Sequence, residues 1–206
     1  MKNIIIIGGG GFAREVHFLI REIGLYNILG FVHEKEREDM KIGKIIYPVY
    51  NEKELDLHGN ICMAIGTGKP KLNEEIISKF KNKFEFPNLV HPNVTADWEN
   101  ITMGEGNILA SNAILTTNIK IGSFNVFNLG CTVGHDAEIG NYNIINPSVN
   151  ISGGVKICNK TFIGVNATIL QNVKVNDNSI VGASSLVNKD VQEFSTFVGV
   201  PAKRIK

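Results

Sequence analysis

Fifteen apolar residues recur at intervals of six without a miss: Met103, Leu109, Leu115, Ile121, Phe127, Val133, Ile139, Ile145, Ile151, Ile157, Ile163, Ile169, Val175, Val181 and Val187. With 43% of the chain apolar, chance gives such a run roughly a few times in a million per starting frame, so the period is architectural. Four residues after each large position the side chain is nearly always small, as at Ala113, Cys131, Ala137, Val149, Val155, Thr161, Ala167, Val173, Ser179, Ser185 and Val191. Alternate residues of a strand share a face, so both columns are expected to point inward. The Gly, Asn, Asp, Ser and Lys between them suit corners and solvent. A period of six fits neither about 3.6 nor about 3.5 residues, which excludes helices. The pattern predicts short strands wound into a solenoid, three hexads to a turn and five turns in all. A hairpin sandwich is the alternative, but its loops do not recur at so strict a spacing.

The preceding part reads differently. Residues 3–7 form a strand-like apolar run, residues 8–11 a glycine turn, and residues 12–23 place Phe12, Val16, Leu19, Ile20 and Ile23 at helical spacing before Gly24. Residues 28–32 make a second strand, completing a βαβ unit. A further strand at 61–65 ends in Gly66-Thr67-Gly68; residues 71–80 look helical, and 87–92 cross into the solenoid. The expected division is an α/β domain over 1–86 and an all-β solenoid domain over 87–206, the latter carrying the tail FVGVPAKRIK from Phe197.

A chain of 206 residues with net charge +1 gives no basic surface for nucleic acid. No stretch approaches the roughly 18 apolar residues of a membrane span, so the protein is expected to be soluble, unexported and cytoplasmic. Cys62, Cys131 and Cys158 are odd in number and lack CxxC spacing, which points to a reducing compartment. Cys131, in the small inward column, reads as packing rather than as a nucleophile.

The turn Gly8-Gly9-Gly10-Gly11-Phe12-Ala13 fits GxGxxA between a strand and a helix, a context in which backbone amides face an anion. Glu34 follows near the end of the second strand, where a carboxylate accepts from a ribose hydroxyl. The residues alone leave open a nucleotide-linked ligand, dinucleotide redox chemistry, or glycines that only permit tight helix-on-strand packing. Of five histidines, only His135 lies inside the repeat, so the three that a solenoid zinc site needs are missing. His17 and His58 fall on expected surface segments, and His91 precedes Pro92 at the domain joint. His135 occupies a corner, outside both packed columns, with Asp136 directly after it. An imidazole there can take a proton near neutrality while the acid fixes its tautomer; a merely solvated histidine is the alternative.

With the hexads, GGGGFAREV, CTVGHDAEIGNY and FVGVPAKR taken together, the whole chain resembles the family of sialic acid O-acetyltransferases and bacillosamine-pathway N-acetyltransferases. The resemblance implies a Rossmann-like domain joined to a left-handed parallel β-helix, and a homotrimer that binds acetyl-CoA between neighbouring helices. It makes His135 the general base, Asp136 the acid that strengthens it, and Asn128 a residue near the acceptor. Gly153, Gly164, Gly182 and the tail through Lys203 match stretches along the acetyl-CoA groove. Gly10, Gly11 and Phe12 match the turn that holds a nucleotide-sugar diphosphate, with Gly66 a neighbouring contact. Two departures stand out: His33-Glu34 replaces an Asp-Asp pair, and Ile144 stands where some relatives place a histidine near the coenzyme thioester. The implied activity is N-acetylation of a nucleotide-linked 4-amino-4,6-dideoxy sugar for a bacterial surface glycan. O-acetylation of sialic acid or another glycan sugar, and a non-catalytic sugar-nucleotide-binding protein, are the competing readings.

Overall fold

The computed structural model describes residues 1–34, 38–52 and 61–206. Strand β1 (Lys2–Ile7) is buried from Ile4 to Ile7, as a central parallel strand covered on both faces must be. It pairs in parallel with β2 (Tyr26–His33) and, on its other side, with the strand Ile61–Ile65. Helix α1 (Gly11–Ile23) connects β1 to β2 and ends where Gly24 turns left-handed at φ 70°, its N–H reaching Ile20 O at 3.2 Å.

Three strands that the pattern did not show follow β2. An antiparallel hairpin joins β3 (Met40–Ile42) to β4 (Ile45–Tyr47), and β5 (Val49–Asn51) then pairs with β2. With the Ile61–Ile65 strand as β6, the sheet order is β5-β2-β1-β6, and α2 (Pro70–Phe80) follows. The hairpin corrects one expectation. His17 is 2% exposed rather than on the surface, because Tyr47 lies edge-on to its ring at 4.9 Å and Phe31 stacks at 6.2 Å. Burial lowers its pKa, and Arg21 adds to the effect. His58 lies outside the described residues.

From Leu89 onward the chain is a parallel β-helix with three faces. Each of the fifteen period-six residues is the last residue of a strand, Met103 closing Ile101–Met103 and Val187 closing Leu186–Val187. The two columns interdigitate in one core, with Leu109, Phe127, Val133, Ala113, Cys131 and Val149 among its fully enclosed members. Burial pushes the Cys131 thiol up to about 12, which fits packing and not nucleophilic use.

The helix begins a coil earlier than the repeat, at Leu89–Val90 and Thr95–Ala96. Val90 pairs with Leu109 and Ala96 with Leu115, nineteen residues apart, whereas Met103 pairs with Ile121 at eighteen. The extra residue sits in the one-turn 3₁₀ segment Trp98–Asn100, and it breaks the six-residue frame just where the count begins.

Asn107, Asn125 and Asn143 interrupt the small column, and all three are fully buried. Each Oδ1 accepts the backbone N–H one coil on: Asn125 N–H to Asn107 at 2.9 Å, Asn143 N–H to Asn125 at 2.9 Å, Thr161 N–H to Asn143 at 2.9 Å. The buried polar atoms thus satisfy one another along the axis. The first face carries a second apolar layer outside. Leu89, Ile108, Val126 and Ile144 share a cluster with Val16, Leu19 and Ile20 of α1, which seats the α/β domain on the β-helix.

Candidate active site

The cleft at the carboxyl ends of β1 and β2 encloses about 420 Å³ and gathers Gly10, Gly11, Phe12, Glu34 and Gly66 with Thr67, Gly68 and Lys69. Strand ends at which the connections diverge are where open α/β sheets bind ligands. Both helices begin here, α1 after Gly10 and α2 after Lys69. Neither has a side-chain cap or an acidic residue in its first turn, so unpaired amides and the positive dipole ends are left for an anion. Gly10 and Gly11 do not serve packing: a Cβ on either would touch nothing within 4 Å. Gly8 and Gly66 do, since a Cβ on Gly66 would lie 2.9 Å from Ala13 Cβ and from Ile7 O.

His135 stands on the corner between the second and third faces, following the strand Thr132–Val133. Its Nδ1 lies 2.7 Å from Asp136 Oδ2, with both side chains about half exposed, at 56% and 55%. Asp136 sits in the left-handed backbone region at φ 61°, the position that Asn118 fills one coil earlier at φ 56°. Asn118 Nδ2 donates to the other carboxylate oxygen. The hydrogen bond from His135, seconded by that from Asn118, holds the Asp136 carboxyl below the usual carboxylate range. A carboxylate on Nδ1 fixes the tautomer with its proton there and leaves the Nε2 lone pair free. The imidazole lies over Gly153, one coil on, where a Cβ would come within 2.5 Å of Nε2.

Asn128 lies on the preceding corner, between the first and second faces, and is 8% exposed; its Oδ1 accepts from Leu129 N–H at 2.8 Å. Gly164 and Gly182 occupy that same corner column further along. A Cβ on Gly164 would meet Ala183 N at 2.5 Å, and one on Gly182 would meet Val198 Cγ1 at 2.6 Å. Lys203 pairs with Val198, folding the tail back beside Gly182. Gly153, under His135, stands apart from this group. Ile144 joins neither: it is 2% exposed and belongs to the layer between the β-helix and α1, so this chain gives it no surface for a coenzyme contact. His91 emerges beside Asn128, lining the same pocket under α1. Its place on the first coil was hidden by the frame shift after Ala96.

A family model for the PglD N-terminal domain matches residues 3–80, and one for bacterial transferase hexapeptide repeats matches residues 154–189. No curated protein matches. Among solved structures, the acetyltransferase domain of PglB from Neisseria gonorrhoeae in complex with acetyl coenzyme A superposes with TM-score 0.91 at 22% identity, over 99% of each chain. PerB from Caulobacter crescentus, in complex with CoA and GDP-perosamine, gives 0.88 at 24% over 100% of this chain and 98% of that one. WeeI from Acinetobacter baumannii gives 0.90 at 26% over the whole of both chains.

Proposed function

We propose that the chain, whose residues 3–80 match the PglD N-terminal domain and whose residues 154–189 match bacterial transferase hexapeptide repeats, transfers the acetyl group of acetyl-CoA to the amine of a nucleotide-linked 4-amino-4,6-dideoxy sugar. The observation that carries the reading is the His135–Asp136 pair, an oriented and accessible base with a free Nε2 over a glycine floor. The glycine cleft supports a nucleotide-linked acceptor, since two uncapped helix N-termini suit a diphosphate that free sialic acid lacks. Structural neighbours crystallised with acetyl coenzyme A and with CoA and GDP-perosamine are in keeping with both substrates.

In this mechanism the acceptor nitrogen, deprotonated from its ammonium form, attacks the thioester carbonyl carbon. His135 Nε2 takes the proton that nitrogen sheds, a backbone amide stabilises the developing oxyanion, and the carbon–sulfur bond breaks, the departing sulfur taking that proton back from His135 to leave as the thiol of CoA. General-base help of this kind is worth ~10²–10⁴-fold, and an oxyanion donor about 10²–10³-fold. Asp136 keeps the imidazole in the working tautomer. Gly164, Gly182 and Lys203 would line the coenzyme groove.

The cleft is lined by residues between Ile7 and Lys79, and His135 is not among them. In our reading a second copy of the chain brings the two together. Leu129 and Val165, 46% and 47% exposed on the corner that Asn128 shares, and Ile114 on the second face would be covered in a trimer. Acetyl-CoA and nucleotide sugars being cytoplasmic metabolites, a cytoplasmic step in making a bacterial surface glycan is the setting we assign.

The test is thiol release from acetyl-CoA with UDP-, dTDP- and GDP-linked 4-amino sugars and with free sialic acid, followed by mass spectrometry of the products. Turnover on an amino sugar with an added acetyl mass supports the reading. Turnover confined to sialic acid, or none on any acceptor, contradicts it.

A further inference from the structure

Thr67 lines the cleft beside Gly66 and Gly68, two residues ahead of Lys69, the N-cap of α2. Behind it lies Asn73, in the first turn of α2, whose backbone N–H donates to Lys69 O at 2.9 Å. Helical side chains lean toward the N-terminus of their helix, and that of Asn73 reaches back to Thr67, whose hydroxyl donates to its Oδ1. Asn73 is 1% exposed, and its Nδ2 has no hydrogen-bond partner among the described residues. A buried amide donor left unpaired is costly. Turning the amide over about its Cβ–Cγ bond keeps its shape and exchanges the two atoms. Nδ2 then donates to Thr67 Oγ1 and the hydroxyl proton is released toward the cleft. The atom left over is a carbonyl oxygen, which protein interiors leave unpaired more readily than a donor.

Resting on the function proposed above, we infer that Thr67 is a phosphate-binding residue of the cleft and that Asn73 is its positioning residue: Asn73 Nδ2 donates to Thr67 Oγ1, and the hydroxyl donates to a diphosphate oxygen. The turn that carries Thr67 abuts the glycine turn before α1. Gly66 N–H donates to Ile7 O at 2.7 Å, and a Cβ on Gly8 would come within 3.3 Å of Thr67 Cγ2. A diphosphate at the start of α1 is therefore within reach of the Thr67 turn. The local charge favours it, since α2 presents its positive dipole end here, its first turn holds no acid, and Lys69 lines the same wall. Of the acids that line the cleft, Glu34 follows β2, Glu75 belongs to the second turn of α2, and Glu52 is paired with Lys79 at 3.0 Å. A hydroxyl that accepts one hydrogen bond while donating to a charged oxygen is strengthened as a donor.

The experiment is calorimetric binding of UDP, GDP and dTDP to the full chain, with the melting temperature of each unliganded variant measured alongside. Thr67→Val keeps the shape of the side chain and removes the hydroxyl; for the nucleotide that binds, it should weaken binding at least about tenfold, as loss of a hydrogen bond to a charged group does. Thr67→Ser keeps the hydroxyl and should bind within about threefold of wild type. Asn73→Leu removes the amide without leaving a buried polar group, and it should weaken binding about threefold or more in the wild-type background yet add nothing in the Thr67→Val background, because Asn73 acts through Thr67. A merely structural role lowers the melting temperature and does not produce that coupling. Wild-type affinity in Thr67→Val overturns the inference, and an Asn73→Leu loss of equal size in both backgrounds overturns the positioning role. Failure of every nucleoside diphosphate to bind the wild type overturns the cleft assignment itself, and the inference with it.

Discussion

His135 Nδ1 and Asp136 Oδ2 lie 2.7 Å apart on a solvent-facing corner, joined across a residue whose backbone is left-handed at φ 61°. Asn occupies the equivalent corner position at residues 112, 118, 166, 172 and 178, so Asp136→Asn changes the charge without straining the turn. An asparagine amide no longer requires the proton on Nδ1, and the tautomer with a free Nε2 loses its advantage. Turnover should fall about 10- to 100-fold, less than the ~10⁴-fold loss when a buried triad aspartate is replaced, with the KM for acetyl-CoA unchanged. Since the pKa of Asp136 is depressed in the folded protein, its stabilising contribution is present above the unfolded carboxylate range near pH 4 and is lost as pH falls below it. Steady-state kinetics from pH 6 to 8 therefore compares the variant with a wild type whose Asp136 is ionised throughout.

Gly153 tests the floor under the base. A methyl there would overlap the far end of the imidazole, 2.5 Å from Nε2 and 2.6 Å from Cε1. The ring can swing away, so Gly153→Ala should fold with a melting temperature close to wild type and lose at least about tenfold in turnover, as displaced catalytic groups do. Thermal melting and kinetics on one preparation separate the two effects.

The glycines of the cleft divide by role. Gly10→Ala and Gly11→Ala meet empty space; at Gly11, the first helical residue, alanine is neutral or slightly stabilising, whereas at Gly10, the N-cap, alanine is a poorer cap than glycine. Gly11→Ala should melt at or above the wild-type temperature and Gly10→Ala slightly below it, and both should bind nucleoside diphosphate more weakly. Gly66→Ala collides with the Ala13 side chain and the Ile7 carbonyl and should lower the melting temperature itself.

The asparagine ladder should add measurably to the stability that the apolar core gives the β-helix. In Asn125→Ala the Asn143 N–H loses its acceptor, and Gly140 O loses a donor at 2.8 Å. Leaving buried backbone groups unpaired costs on the order of 3 kcal/mol, equivalent to a fall of roughly 6–12 °C in Tm for a domain of this size. Differential scanning calorimetry at fixed protein concentration measures it.

The sequence made the β-helix legible because packing dictates its period: every coil must present a large and a small side chain to the one below. The first coil was not legible, because the extra residue at Trp98–Asn100 shifts the register from Val90 and Ala96 to Met103. Nor were the buried asparagines, whose hydrogen bonds join residues eighteen apart and leave no local signal. His17 was misplaced because the hairpin that covers it is too short to show a period. At the site, adjacency singled out His135 and Asp136, while Gly153 under the ring and His91 beside Asn128 became visible only once coils were stacked. Ile144 was named by likeness, and the α1 interface explains its apolar character.

The most direct test of the account compares wild type with His135→Ala, measuring thiol release from acetyl-CoA on the best amino-sugar acceptor together with coenzyme affinity by calorimetry. The account predicts turnover at least about a hundredfold lower, with acetyl-CoA binding nearly unchanged, because the imidazole moves a proton and does not hold the coenzyme. Undiminished turnover in that variant would contradict it.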